Sequence, residues 1–140
     1  MQIEVISDAN LSKVLNSIRV KASTLSYDFC VSGDALRFAN RHKESIPKYL
    51  QAIMKDRTNA DAYLGLGLSY KALENYEKAI VYLLKSLEHD TRYSTLLELG
   101  MCRYAIGEYA DALKDFISAI KLEPENYDAQ IWLAMTHSKL

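Results

Sequence analysis

The chain has 140 residues, of which 49% are hydrophobic and 25% are charged, and its formal net charge is −1. This balance predicts one folded domain with a buried core, and it argues against disorder, a basic nucleic-acid surface and a polybasic membrane surface. The first residues lack the basic and apolar regions of a secretory signal, no apolar run approaches the ~20 residues that span a bilayer, and there are only two cysteines. We therefore expect a cytoplasmic protein with reduced thiols that neither binds nucleic acid nor inserts into a membrane.

The first helical pattern lies within residues 1–25. Leu11, Val14, Leu15 and Ile18 recur at the spacing of one helix face, after a residue suited to helix capping at Ser7 or Asp8. This segment is interpreted either as an N-terminal capping helix or as a degenerate repeat.

Three copies of a helix pair follow at a nearly constant period. The apolar stripe at positions 76, 79, 80, 83, 84 and 87 recurs 33 residues later, and a weaker copy begins at position 45. Another helix precedes each stripe, and tight turns are expected at 41–44, 74–75 and 107–108. The predicted units are residues 26–59, which form the divergent repeat 1, then 60–92, 93–126, and at 127–140 the first helix of a fourth repeat or a capping helix.

The last segment differs from a normal solenoid end. Ile131, Trp132, Leu133 and Met135 are apolar, whereas terminal helices of repeat arrays need a polar outer face. Either this helix stacks on something else, or the chain is cut from a longer array, and the second interpretation is preferred.

The repeated residues resemble the tetratricopeptide repeat (TPR) family. Its pattern is a large residue, Leu-Gly, an aromatic, then small, aromatic and small residues and a closing proline. The second unit has Tyr63, Leu66-Gly67, Tyr70, Ala79, Leu83 and Ser86; the third has Leu96, Leu99-Gly100, Arg103, Ala112, Phe116, Ala119 and Pro124. The resemblance implies an all-α, right-handed superhelical solenoid of antiparallel helix pairs that binds other polypeptides, with the first helix of each pair lining a concave face.

A second apolar face on the first helices indicates a peptide-binding groove. Its centre is aliphatic, aromatic and Met-rich, which suits a short hydrophobic or amphipathic segment of a partner protein. Each aliphatic member fits a core role equally well, because buried Leu and Ile are the default. The predicted groove residues are Tyr27, Val31, Phe38, Leu64, Leu68, Lys71, Leu97, Met101, Tyr104, Ile131, Trp132 and Met135.

One subclass of the family holds the C-terminal carboxylate of chaperone tails with a clamp of Lys and Asn side chains. The corresponding positions here are Cys30, Asp34, Gly65, Ser94 and Glu98. None is basic or an amide, and the two acidic side chains would repel a carboxylate. The sequence therefore argues against a carboxylate-clamp co-chaperone.

No motif predicts catalysis, a cofactor or a metal. Gly65 and Gly67 follow no strand, the three histidines lie far apart, and Cys30 is a groove thiol with no adjacent base. We predict a non-enzymatic adaptor, with a chaperone-like groove loosely similar to that of the TPR chaperones of bacterial secretion systems. Two alternatives stay open: a scaffold that self-assembles into a homo-oligomer through the helix around Trp132, and the recognition module of a larger protein.

Overall fold

The computed structural model describes residues 7–140, which form seven α-helices and no strand. The helices are α1 (Asp8–Phe38), α2 (His42–Lys55), α3 (Ala60–Ala72), α4 (Tyr76–His89), α5 (Tyr93–Ala105), α6 (Tyr109–Leu122) and α7 (Tyr127–His137). Helices α1 and α2, α3 and α4, and α5 and α6 pack as pairs, and α7 packs against α6 and α5. The predicted all-α solenoid is confirmed. None of these seven helices is long and apolar enough to cross a membrane.

A left-handed residue closes the turn within each helix pair. These residues are Asn40 (φ 63°), Glu74 (φ 60°) and Gly107 (φ 83°), one repeat period apart. The first turn lies at residues 39–41, ahead of the predicted 41–44, because α2 begins at His42. Asn is one of the few residues other than Gly that adopts this conformation readily, which lets the chain reverse there.

Helix α1 merges two segments that the sequence analysis separated. The boundary predicted after residue 25 falls inside one uninterrupted helix of 31 residues, about 46 Å long. Ser7 caps it, because its side chain accepts a hydrogen bond from the backbone N–H of Asn10 at 3.3 Å. Residues 8–32 contain neither Gly nor Pro, so nothing in the local sequence ends the helix between the two segments.

Glycines allow the two layers of helices to approach closely. A Cβ atom on Gly100 would lie 2.5 Å from Cε1 of Phe116, and one on Gly67 would lie 2.8 Å from Cγ of Leu83. Both of these side chains are fully buried. The glycine of the Leu-Gly motif therefore lies at the contact between the two layers.

The two layers differ in how their helices touch, and this sets the curvature. The first helices of successive units are in contact (α1 with α3, α3 with α5, α5 with α7). Among residues 7–140 the second helices α2, α4 and α6 do not contact one another. The first helices are thus the inner layer, and their free faces form the concave surface.

Candidate functional site

Two neighbouring cavities lie along the first helices on the concave surface. A cavity of about 250 Å³ between α1 and α3 is lined by Tyr27, Val31, Leu64 and Leu68 together with charged side chains. A neighbouring cavity of about 340 Å³ shares Leu68 and extends along α3 to Glu98 on α5. The structure therefore brings predicted groove residues from α1 and α3 into one depression.

The predicted groove residues differ in exposure. Those at the two ends are exposed, with Tyr27 at 67%, Phe38 at 78% and Ile131 at 57% of their free surface, and Val31 and Met135 are also exposed. The remaining seven are half-buried: Leu64, Leu68, Lys71, Leu97, Met101, Tyr104 and Trp132. A half-buried side chain offers part of its surface to a ligand and packs with the remainder.

Several half-buried members also stabilise the fold. Leu64 and Leu97 pack against the hydrophobic clusters between layers. Trp132 stacks on Phe116 with ring centroids 6.0 Å apart and meets Tyr104 edge-to-face at 5.3 Å. Such aromatic contacts are worth about 0.5–1.5 kcal/mol beyond burial, so Trp132 is anchored in its own domain.

Each acidic side chain of the groove is paired with a base. Glu98 accepts from Lys71 Nζ at 2.5 Å, and Asp61 pairs with Arg92. Asp34 lies 3.6 Å from the Arg37 guanidinium and accepts a hydrogen bond from the Tyr49 hydroxyl at 2.6 Å. These pairs leave the two cavities close to neutral.

Arg92 was not predicted from the sequence as the partner of Asp61, which lines the first cavity. It immediately precedes α5, and its guanidinium reaches back to Asp61 at the start of α3. The repeat period places the start of α5 beside the start of α3. The pairing of Arg92 with Asp61, 31 residues away, could therefore have been inferred from the repeat period. No local motif indicates it.

Cys30 lines the first cavity, as expected of a groove thiol, but its side chain is buried. Burial, and then the charges of Asp34 and Asp61, raise the pKa of the Cys30 thiol to about 12. Burial likewise raises the pKa of the Cys102 thiol to about 11. Both thiols are protonated at neutral pH and are poor nucleophiles.

Residues 7–140 contain no group of three or more His, Cys, Asp or Glu side chains placed to hold a metal ion. The cavities on the concave side open onto a shallow surface lined by the groove side chains and by the paired charges.

These features define a helical-repeat solenoid whose inner layer carries two neighbouring cavities. Family models described as "Tetratricopeptide repeat" match residues 60–92 and 97–137, and one described as "TPR repeat" matches residues 33–73. The chain belongs to the tetratricopeptide repeat family.

Curated relatives share the repeat region with this chain. The chain is 27% identical over 124 residues to the small glutamine-rich tetratricopeptide repeat-containing protein of Dictyostelium discoideum, a match to 88% of this chain and 37% of that protein. It is 36% identical over 87 residues to serine/threonine-protein phosphatase T of Aspergillus oryzae, covering 61% of this chain and 18% of the phosphatase. The chain thus spans less than two-fifths of either relative.

Solved structures share the fold. The Arabidopsis OM64 TPR domain has a TM-score of 0.82 at 22% identity and covers 85% of this chain and 99% of that domain. The first TPR of Spaghetti (RPAP3), bound to the HSP90 peptide SRMEEVD, has a TM-score of 0.81 at 19% identity and covers 83% of this chain and 93% of that domain. At these identities the likeness shows the fold alone.

Proposed function

We propose that this chain is a protein-interaction module whose concave groove binds a short apolar or amphipathic segment of another polypeptide. The observation that carries the proposal is the groove itself, where exposed apolar side chains alternate with charges that are already paired. Burying those apolar side chains against a partner contributes about 25 cal/mol per Å² removed from water. The same groove serves a free-standing adaptor or the recognition part of a larger protein.

The charge pairs favour an uncharged ligand over an acidic tail. A carboxylate that entered beside Lys71 would have to separate it from Glu98, which lies 2.5 Å away. Breaking such a pair leaves a charge without its partner, which costs more than the new contact gains unless the ligand replaces every interaction. Acidic tails are therefore expected to bind weakly.

A direct competition between peptide chemistries tests this preference. A random peptide library displayed with free carboxyl ends should enrich sequences rich in Leu, Ile, Phe and Met. The acidic peptide SRMEEVD, tested at the same concentrations by calorimetry, should bind at least about 100-fold more weakly than the best enriched peptide, a difference of about 2.7 kcal/mol. Equal or tighter binding of SRMEEVD would contradict the proposal and favour the chaperone-tail alternative.

A matched pair of variants locates the site. Leu68→Glu with Met101→Glu places two charges in the groove, whereas Val81→Glu with Ile117→Glu makes the same change on the exposed faces of α4 and α6. The groove variant should lose peptide binding while it keeps its helical circular dichroism, and the outer-face variant should bind as the wild type does. A loss of helicity in the groove variant would show that Leu68 and Met101 are core residues.

A further inference from the structure

The first half of α1 carries an apolar stripe that no other described element covers. Leu11, Val14, Leu15 and Ile18 are between 44% and 60% exposed, and every residue from 7 to 21 is exposed. The end of α2 and the residues after it lie level with positions 19–23 of α1, where Lys55, Asp56 and Thr58 share a cavity wall with Arg19, Ala22 and Ser23. Residues 8–18 therefore extend about 16 Å beyond the end of α2.

This extension has two costs. Residues 8–18 continue a packed helix and so need no new nucleus, but no tertiary contact within the described chain stabilises them. Four large aliphatic side chains at helical spacing also form one stripe, whereas exposed apolar residues are normally scattered singly. A binding partner for this face would remove both costs.

The stripe has the spacing of a helix-pairing seam. Leu11, Leu15, Ile18 and Ala22 follow one another at intervals of four, three and four residues, which is the heptad pattern of paired helices. Ala22 is only partly exposed, since it lies where contact with the end of α2 begins. The seam therefore continues the face of α1 that packs within this chain.

We propose that the stripe pairs with the stripe of a second copy of this chain, with the two helices antiparallel. In that arrangement Leu11 lies level with the partner's Ile18, and Val14 with the partner's Leu15. Asp8 at one end then lies level with Arg19 and Lys21 at the other end of the partner's stripe. A parallel pair would instead place like charges level with each other, which is destabilising.

The length of the free helix fits this pairing. A partner helix that begins at its own Asp8 ends its contact level with Lys21, where the end of α2 begins to occupy the same face of α1. Each extension would therefore lie roughly in line with the α2 helix of the other copy. The overlap spans positions 8–21, so most of it lies on the stretch that has no cover within the described chain, and its last positions reach the level of the end of α2.

Pairing through this stripe leaves the groove open. Tyr27 follows Ile18 by nine residues, which is about two and a half helical turns, so the two side chains lie on opposite sides of α1. A dimer would present two grooves, and two segments of one client would then be held with the gain of an effective concentration. The inference does not depend on the ligand proposed for the groove.

Sedimentation equilibrium of the full chain over a wide concentration range tests the pairing. The wild type should approach twice its mass of 15.9 kDa at tens of micromolar. The variant Leu15→Glu with Ile18→Glu should raise the dissociation constant at least about 100-fold, since four buried aliphatic side chains per dimer would be replaced by charges. Val20→Glu is the matched control, because Val20 is 66% exposed on the opposite face of the same helix, and it should dimerise like the wild type.

Charge exchange tests the antiparallel arrangement. Asp8→Lys should weaken the dimer, and adding Arg19→Asp and Lys21→Asp should restore it, an outcome that a parallel pair would not give.

A wild type that stays monomeric throughout overturns the inference. So does a dimer that survives Leu15→Glu with Ile18→Glu, which would point to the open face of α7. The groove variant Leu68→Glu with Met101→Glu should dimerise normally, so failure of the groove proposal is distinguishable from failure of this one.

Discussion

Equivalent positions in the second and third repeats hold different contacts. The second repeat has two stacked aromatic rings there, and the third has an ion pair. Tyr70 and Tyr82 stack with ring centroids 5.6 Å apart. Thirty-three residues later, Arg103 Nη1 donates to the Asp115 carboxylate at 2.9 and 3.1 Å, with the Asp115 side chain only 10% exposed. Because the backbone setting is the same, the double change Arg103→Tyr with Asp115→Tyr is the natural test of whether the pair is interchangeable with an apolar contact.

The single and double changes should differ sharply. Removing one member of a buried ion pair costs about 3–5 kcal/mol because the other charge stays without a partner. The Arg103 side chain is 19% exposed, so the lower end of that range, about 3 kcal/mol, is expected for each single change. At roughly 3 °C per kcal/mol for a chain of this length, each single variant should unfold about 10 °C lower. The double variant should lie within about 1 kcal/mol of the wild type.

Equilibrium unfolding in urea of the wild type, the two single variants and the double variant measures this coupling. A coupling free energy of several kcal/mol between the two positions is expected. If the double variant were destabilised by the sum of the single effects, the ion pair and the tyrosine pair would not be equivalent, and the reasoning from repeat register would be refuted.

Three further predictions concern stability. Gly100→Ala should lower the free energy of unfolding by about 1–3 kcal/mol in urea titrations, because its Cβ would lie 2.5 Å from the buried Phe116 ring, despite the ~1 kcal/mol that Ala usually gains in helices. Gly107 has a φ of +83°, and an added Cβ would meet no atom within 4 Å. Gly107→Ala should therefore cost about 1–2 kcal/mol through backbone strain alone. Gly107→Asn should cost less, since Asn40 adopts the same conformation in the equivalent turn. Burial raises the pKa of Asp115 to about 6 and outweighs the opposing effect of Arg103. The folded state therefore binds more protons than the unfolded state between about pH 4 and pH 6. The free energy of unfolding should fall as the pH rises through that window. Thermal unfolding of Asp115→Asn against pH should lack that component, and an unchanged profile would contradict the assignment.

The fold could be predicted from the sequence because each repeat carries the same helical periodicity and the same glycine spacing. Gly33, Gly67 and Gly100 recur near one period, and each packs under a large side chain from the second layer. Periodicity and spacing therefore indicated the pairing of helices, their order and the layer that faces inward. The capping role of Asn59, which accepts from the backbone N–H of Ala62 at 3.0 Å, was readable from local sequence alone.

The first two helical segments were separated because their apolar stripe lies 35 residues before the next one, although the lack of Gly and Pro in residues 8–32 was a local sign of one helix. Other features depend on interactions that local sequence does not record. The neutrality of the groove depends on pairs between residues 27 and 31 apart, Lys71 with Glu98 and Asp61 with Arg92. Cys30 was placed on the correct helix, but its burial depends on how closely α1 approaches α3.

A nuclear magnetic resonance titration of the isotopically labelled chain with the best peptide from the free-carboxyl library tests whether the concave groove is the binding site. We predict that amide shifts will change along the inner faces of α1, α3 and α5, around Val31, Leu68 and Met101, and will stay unchanged on the outer faces of α4 and α6. Shifts confined to those outer faces, or to the stripe at residues 11–18, would show that the peptide binds elsewhere and that the concave groove is not the binding site.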